Sequence, residues 1–193
     1  MVNLKYFSPD GGSFTDLRPL QTLTKLETLI NLGIFDKANL DDLILLDNLK
    51  EISLDFNGHI ADNMNTKPNA LLDISALSGK NNLEQIYISG ADGYLPTVSM
   101  SKKNKNYTLI DPVILSDQFK EKIVYDIDLI QNEPEDGSDC LDNEANLTVT
   151  DNNELIWENI PSDTEYLLFS AHVNEGNFSY NADNIKIPIR WLD

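Results

Sequence analysis

The chain has 193 residues and a formal net charge of −18, with 14 Lys and Arg against 32 Asp and Glu. This charge repels phosphates and anionic lipid headgroups, so nucleic acids and acidic membrane surfaces are poor partners. No run of about 18 apolar residues exists, so the sequence predicts no membrane-spanning segment. The length suffices for one large or two small domains, and the uneven charge, −4 over residues 1–103 and −14 over residues 104–193, favours two.

A ladder of leucines with a three-residue step runs through the first half of the chain. An α-helix turns about 100° per residue, so residues three apart drift around it and the step disfavours a plain helix. Short 3₁₀ stretches that lead into strands fit better, and leucine-rich repeats are built in this way. The ladder consists of Leu17, Leu20, Leu23, Leu26, Leu40, Leu43, Leu46 and Leu49, with a weaker continuation at Ile74, Leu77 and Leu83.

The ladder recurs within aligned sequence motifs. Residues 14–20 and 71–77 share an apolar-x-Asp-apolar-x-x-Leu opening, and residues 49–57 match the strand signature L-x-x-L-x-L-x-x-N. A polar stretch at residues 57–69 predicts an inserted loop. Asn31 occupies a position where the motif requires an apolar residue, which predicts a one-residue bulge in that strand.

These motifs resemble the short leucine-rich repeats of internalin-type bacterial surface proteins, and residues 14–20 are the closest match. The resemblance implies an α/β leucine-rich-repeat solenoid over residues 1–103, whose strands present a concave binding surface. The first repeat lacks its first half, so the chain is expected to be a piece of a longer protein. A small α/β domain with leucine-rich helices is the alternative.

Beyond residue 103 the hydrophobic pattern changes to a period of two, which predicts half-buried strands. About six strands at this spacing predict an all-β sandwich over residues 104–193. Residues 147–157, followed by Tyr166 and Phe169, are similar to the immunoglobulin-like domain that follows the repeats in internalin-type proteins. Trp157 is predicted to lie buried between two sheets. The strands are predicted at residues 107–115, 123–129, 147–150, 154–158, 164–173 and 185–191.

No catalytic constellation is predicted. His59 and His172 lie in different predicted domains, and Cys140 is the only cysteine. Neighbouring carboxylates disfavour the Cys140 thiolate, so it is a poor nucleophile. These features predict a protein that is not an enzyme and that uses no cofactor.

An acidic segment at residues 133–144 raises the question of a calcium site, because Ca²⁺ prefers several carboxylate ligands. Aligning Gly137 with the glycine of an EF-hand loop puts Pro134 at a ligand position and Asn143 in place of the bidentate Glu. The alignment fails, so a solvated acidic loop is favoured and no metal site is predicted.

The candidate binding residues are those that alternate with the buried positions of the repeat strands. Exposed aromatic side chains on such a surface can anchor a partner, whereas the alternative is an ordinary solvated sheet face. The predicted set is Tyr6, Glu27, Thr28, Lys50, Glu51, Ser53, Asp55, Glu84, Gln85 and Tyr87, flanked by Lys5, Ser8, Ile30 and Ser89.

The predicted function is that of an extracellular, cell-surface or secreted protein that binds a protein or a glycan through these residues. This expectation depends on an analogy between folds. The alternative is a structural spacer within a larger bacterial surface protein.

Overall fold

The computed structural model describes residues 3–9, 13–34, 40–57, 69–131 and 145–192. Within these ranges the chain forms twelve β-strands and three short 3₁₀ helices, Arg18–Thr22, Asp41–Leu43 and Ser75–Leu77, with no α-helix. Every helical segment described is too short to cross a bilayer. The strands are β1 (Tyr6–Phe7), β2 (Ser13–Phe14), β3 (Thr28–Ile34), β4 (Glu51–Asn57), β5 (Gln85–Tyr94), β6 (Val98–Ser101), β7 (Tyr107–Ile110), β8 (Val124–Gln131), β9 (Asn146–Val149), β10 (Glu154–Glu158), β11 (Thr164–Asn174) and β12 (Phe178–Leu192).

Nine of these strands form one mixed sheet, in the order β1-β3-β4-β5-β12-β11-β8, with β2 beside β3 and β6 beside β12. The strands from β1 to β12 in this order run parallel, whereas β11 is antiparallel to both β12 and β8. The remaining strands form an antiparallel sheet of three, in the order β7-β10-β9. We call the larger one the main sheet.

The leucine ladder forms successive tight turns before the parallel strands. The amides of Leu20, Leu23 and Leu26 each donate to the carbonyl three residues earlier. This i to i+3 pattern places residues three apart on the same side of the chain, which explains the step of the ladder. The ladder leucines and the inward-facing residues of β4 and β5, such as Leu54 and Ile88, belong to one hydrophobic cluster, in which Leu49 is fully buried and Leu23 is partly buried. The ladder and the strands that follow it therefore share one core.

The predicted bulge in β3 is also present. The pairing of β3 with β4 shifts register between Leu29 and Leu32, and the intervening Asn31 has a φ of 55°. Asparagine tolerates this left-handed conformation better than most residues. The side-chain nitrogen of Asn31 donates to the Ser8 hydroxyl at 3.1 Å, which links the bulge to the segment after β1.

The predicted fold class, an α/β leucine-rich-repeat solenoid joined to an all-β immunoglobulin-like sandwich, is wrong. The described residues contain no α-helix, and strands from both halves of the sequence belong to one mixed sheet. The physical reason is that β5 would otherwise be an edge strand with unpaired backbone groups, and β12 satisfies these groups by pairing with it. The division at residues 103 and 104 stays a prediction.

A further contact joins the halves of the sequence. The buried Tyr180 hydroxyl on β12 donates to the Leu71 carbonyl at 2.7 Å, and burial raises the pKa of this phenol above its usual value.

The predicted burial of Trp157 is confirmed, and its indole nitrogen donates to the Asp128 carbonyl on β8 at 2.8 Å. The three-stranded sheet therefore covers one side of the main sheet near β8.

Candidate functional site

The main sheet has one side that faces the hydrophobic core and one side that faces solvent. Ile52 and Leu54 in β4 and Ile86 and Ile88 in β5 point into the core. Because successive side chains of a strand point to opposite sides, the residues between them lie on the solvent side. We call this solvent side of β1, β3, β4, β5, β12, β11 and β8 the polar face.

The ten predicted site residues lie on these strands or immediately before them. Glu27, Lys50 and Glu84 directly precede β3, β4 and β5, and the other seven lie within β1, β3, β4 and β5. The strand register brings them into rows. The first row is Tyr6, Thr28, Glu51 and Gln85, the second contains Ser53 and Tyr87, and the third contains Asp55 with the flanking Ser89.

An ion-paired group occupies one end of the polar face. The Glu27 carboxylate lies 2.5 Å from the Lys5 ammonium and 2.7 Å from the Lys50 ammonium. The hydrogen bond from Lys5, and to a smaller extent that from Lys50, lowers the pKa of Glu27 to about 2. The hydrogen bond between Lys50 and Glu27 also raises the pKa of Lys50. Since these side chains already bind one another, they hold β1, β3 and β4 in register and are less available to a ligand.

Tyr87 has a different environment. Its side chain is 52% exposed, and it makes no hydrogen bond or ring contact with any residue in the described part of the chain. Tyr6 is similarly exposed, at 57%, on β1 at the edge of the main sheet. Large exposed aromatic side chains without an internal role are the usual anchors of binding surfaces.

The polar face continues past the predicted residues onto β12 and β11. Ser179 lies opposite Tyr87, Asn174 lies opposite Ser179, and His172 lies opposite Asn181. These strands therefore extend the row that contains Tyr87. Together they form a depression of about 350 Å³, which we call the Tyr87 depression, lined on this side by Tyr87, His172, Asn174, Ser179, Asn181 and Asp183.

Sequence reasoning missed the β12 and β11 residues of this depression. Their alternation with buried positions such as Val173 and Tyr180 does indicate that they face solvent. It does not indicate which strand they neighbour, because the pairing of β12 with β5 joins residues about ninety positions apart. Of the predicted site residues, only Tyr87 lines the depression.

Two side chains that line the depression, those of Asn181 and Asn174, form hydrogen bonds within the protein. The Asn181 side-chain nitrogen donates to the Asp183 carboxylate at 3.3 Å, and the Asn174 side-chain oxygen accepts from the Gly176 amide at 3.1 Å. The second contact stabilises the turn between β11 and β12. No hydrogen bond within the described ranges involves the side chains of Tyr87, His172 or Ser179.

A second depression of about 270 Å³ adjoins the first at Asp183 and includes Asp126 and Asp128. Within the described ranges, no three His, Cys, Asp or Glu side chains are grouped in a way that could hold a metal ion. His59, Cys140 and the acidic segment 133–144, which carry the sequence arguments on catalysis and calcium, lie outside the described residues.

Near Tyr94, the side chains of the polar face contact one another. The Lys186 ammonium lies 5.4 Å from the centre of the Tyr94 ring and 5.9 Å from that of Tyr166. A cation above two aromatic rings is attracted to both, so the charge of Lys186 is already engaged. The Tyr87 depression is therefore the part of the polar face best suited to a ligand.

Comparisons with models of protein families, with curated proteins and with solved structures find no match for this chain. The resemblance of its motifs to internalin-type surface proteins therefore stays a prediction. Functional inference depends on the geometry and chemistry of the polar face.

Proposed function

We propose that this chain is a non-enzymatic binding protein, secreted or displayed on a cell surface, that binds a protein or a glycan through the polar face. The observation that carries the proposal is Tyr87, a half-exposed aromatic residue that has no hydrogen-bond or ring partner among the described residues and lies beside a depression that several polar side chains line. A tyrosine supplies a large, rigid contact area at a small cost in conformational entropy. Its neighbours Ser179 and Asn174 supply hydrogen-bonding groups.

The charge of the chain narrows the class of partner. A net charge of −18 disfavours polyanions such as nucleic acids, because association would bring like charges together. Exposed charged pairs contribute little to affinity, so the Lys5, Glu27 and Lys50 group is not proposed as an anchor. Binding energy is expected to concentrate at Tyr87, as it does in the few central residues of other interfaces.

The test is to screen the intact chain against arrays of glycans and surface proteins and to measure the affinity of each ligand found. Tyr87→Ala should weaken binding at least about fivefold, which corresponds to the ~1 kcal/mol expected for an important contact. Ser53→Arg, which places a long side chain opposite Tyr87, should weaken binding as well.

Ile110→Ala is the matched control for these variants. Ile110 is 66% exposed but lies on β7 of the three-stranded sheet, so its truncation should leave the affinity unchanged. Unfolding midpoints of all variants should be compared, so that a loss of folding is not mistaken for a loss of contact. Ligand affinities unchanged by both Tyr87→Ala and Ser53→Arg would contradict the proposal.

A structural spacer is the second candidate, and one observation favours it. A single hydrophobic cluster runs from Leu17 to Ile187, and the main sheet joins both halves of the sequence. Such continuity suits a rigid extension between other parts of a protein. A spacer predicts that no ligand on the arrays depends on Tyr87 or Ser53.

A further inference from the structure

We propose that the Tyr87 depression binds one or two sugar units of a neutral saccharide. This inference rests on the proposed binding function and names the class of ligand. It also moves the centre of the site away from the predicted residues of β1 and β3 towards β12 and β11. Only Tyr87 belongs to both the predicted set and the depression.

The size of the depression is the first argument. At about 350 Å³ it lies near the lower end of the range of about 300 to 1,000 Å³ typical of small-molecule sites. Its lining includes the small side chain of Ser179, opposite Tyr87, and the adjoining Asn174. A compact ring could therefore lie against Tyr87 and reach the polar groups of β12 and β11.

The hydrogen-bonding chemistry of the lining is the second argument. The Asn181 amide uses its nitrogen on Asp183 and keeps its oxygen as an acceptor, whereas the Asn174 amide uses its oxygen on Gly176 and keeps its nitrogen as a donor. The hydroxyls of Tyr87 and Ser179 can donate or accept. A sugar hydroxyl also donates and accepts, so this mixture of groups suits a polyhydroxylated ligand.

The charge of the lining is the third argument. Among the described residues, no Lys or Arg side chain lines the depression to offset the repulsion between an anionic ligand and a chain of charge −18. Asp183 is the one carboxylate among the described lining residues, and Asn181 donates to it. A basic protein segment would instead be drawn towards Asp126 and Asp128 in the adjoining depression.

The experiment measures the affinity of the intact chain for neutral, sialylated and sulfated oligosaccharides, and for basic peptides, by array screening followed by calorimetry. We expect neutral saccharides to bind, with an affinity that is nearly independent of salt because the ligand carries no charge. Tyr87→Ala and Asn181→Ala should each weaken this binding at least about fivefold.

Two variants serve as controls. Ile110→Ala removes an exposed apolar side chain outside the polar face, on β7 of the three-stranded sheet, and should leave saccharide binding unchanged. Asp126→Asn removes a charge from the adjoining depression and should also leave it unchanged. Thermal unfolding midpoints close to that of the unmodified chain would show that each variant folds.

Three results would overturn the inference. The first is that no neutral saccharide binds, and the second is that a saccharide still binds to both Tyr87→Ala and Asn181→Ala. The third is that a basic peptide binds in a salt-sensitive manner and that Asp126→Asn abolishes this binding. A protein ligand that depends on Tyr87 would reject the saccharide and keep the proposed function. Ligands that are indifferent to every polar-face variant would reject both.

Discussion

Individual residues of the polar face differ in whether their interactions are already satisfied. Glu27 binds two lysines, and Lys186 lies over two tyrosine rings, whereas the Tyr87 side chain contacts no described hydrogen-bonding or ring partner. Exposure alone does not separate these cases, because Tyr6 is as exposed as Tyr87. The distinguishing feature of Tyr87 is the depression beside it.

The Glu27 contacts predict a specific response to acid. The pKa of Glu27 lies near 2 in the folded chain and near its ordinary value of about 4.5 in the unfolded chain, so the unfolded state binds more protons between these values. By linkage, the stability from these contacts is present above about pH 4.5 and is lost as the pH falls towards 2. Glu27→Gln should therefore lower the unfolding midpoint at pH 7 and change it much less at pH 2.

Denaturant titrations of the unmodified chain and Glu27→Gln across this pH range make the measurement. Lys5→Met and Lys50→Met each remove one partner of Glu27. In either background, the loss of stability caused by Glu27→Gln should therefore depend less on pH. If the difference in stability between the unmodified chain and Glu27→Gln were constant from pH 7 to pH 2, the Glu27 contacts would not be formed in solution.

At the scale of elements, β5 pairs with β4 on one side and with β12 on the other, and its pairing with β12 is interrupted between Ile88 and Gly93. The pairing with β4 becomes irregular where Asn57 lies opposite both Ala91 and Asp92. Gly90, just before this point, has a φ of 61°. A Cβ there would lie 2.4 Å from the Phe56 carbonyl oxygen, closer than side-chain atoms can approach. Glycine is required because both the conformation and the contact exclude a side chain.

Gly90→Ala should therefore destabilise the chain, by more than the ~1 kcal/mol that a positive φ alone costs an alanine. Gly79→Ala is the matched control, because Gly79 has a φ of 73° and nothing within 4 Å of the added Cβ. Denaturant unfolding of both variants separates the two effects, since only Gly90→Ala adds a clash with the backbone. Equal losses of stability would contradict the described approach of β5 to Phe56.

The elements also show which parts of the structure were accessible from sequence. The ladder from Leu17 to Leu49 was predicted because it reflects hydrogen bonds between residues close in the chain. The bulge at Asn31 was predicted because a polar residue interrupts the apolar motif of β3. Strands such as β10 and β11 were predicted from their alternation. Their arrangement was not, because the hydrophobic pattern of a strand does not specify its partner.

At the scale of the whole molecule, the junction of β5 with β12 determines both the fold and the candidate site. It joins strands from both halves of the sequence in one mixed sheet, where the internalin resemblance implied a solenoid followed by a sandwich. It also places Tyr87 opposite Ser179, and through Ser179 next to Asn174 on β11. Residues 87 and 174 are far apart in sequence, so the depression could not have been predicted from either half alone.

The central claim is that Tyr87 on β5 and the solvent-facing residues of β12 and β11 act as one binding surface. Its most direct test is to map backbone amide shifts of the isotope-labelled chain by nuclear magnetic resonance during titration with the ligand that the arrays identify. We expect the largest shifts to cluster at Tyr87, Ser179, Asn181 and His172, with little change at Ile110 on the three-stranded sheet. Shifts confined to β1 and β3, or to the three-stranded sheet, would contradict the claim.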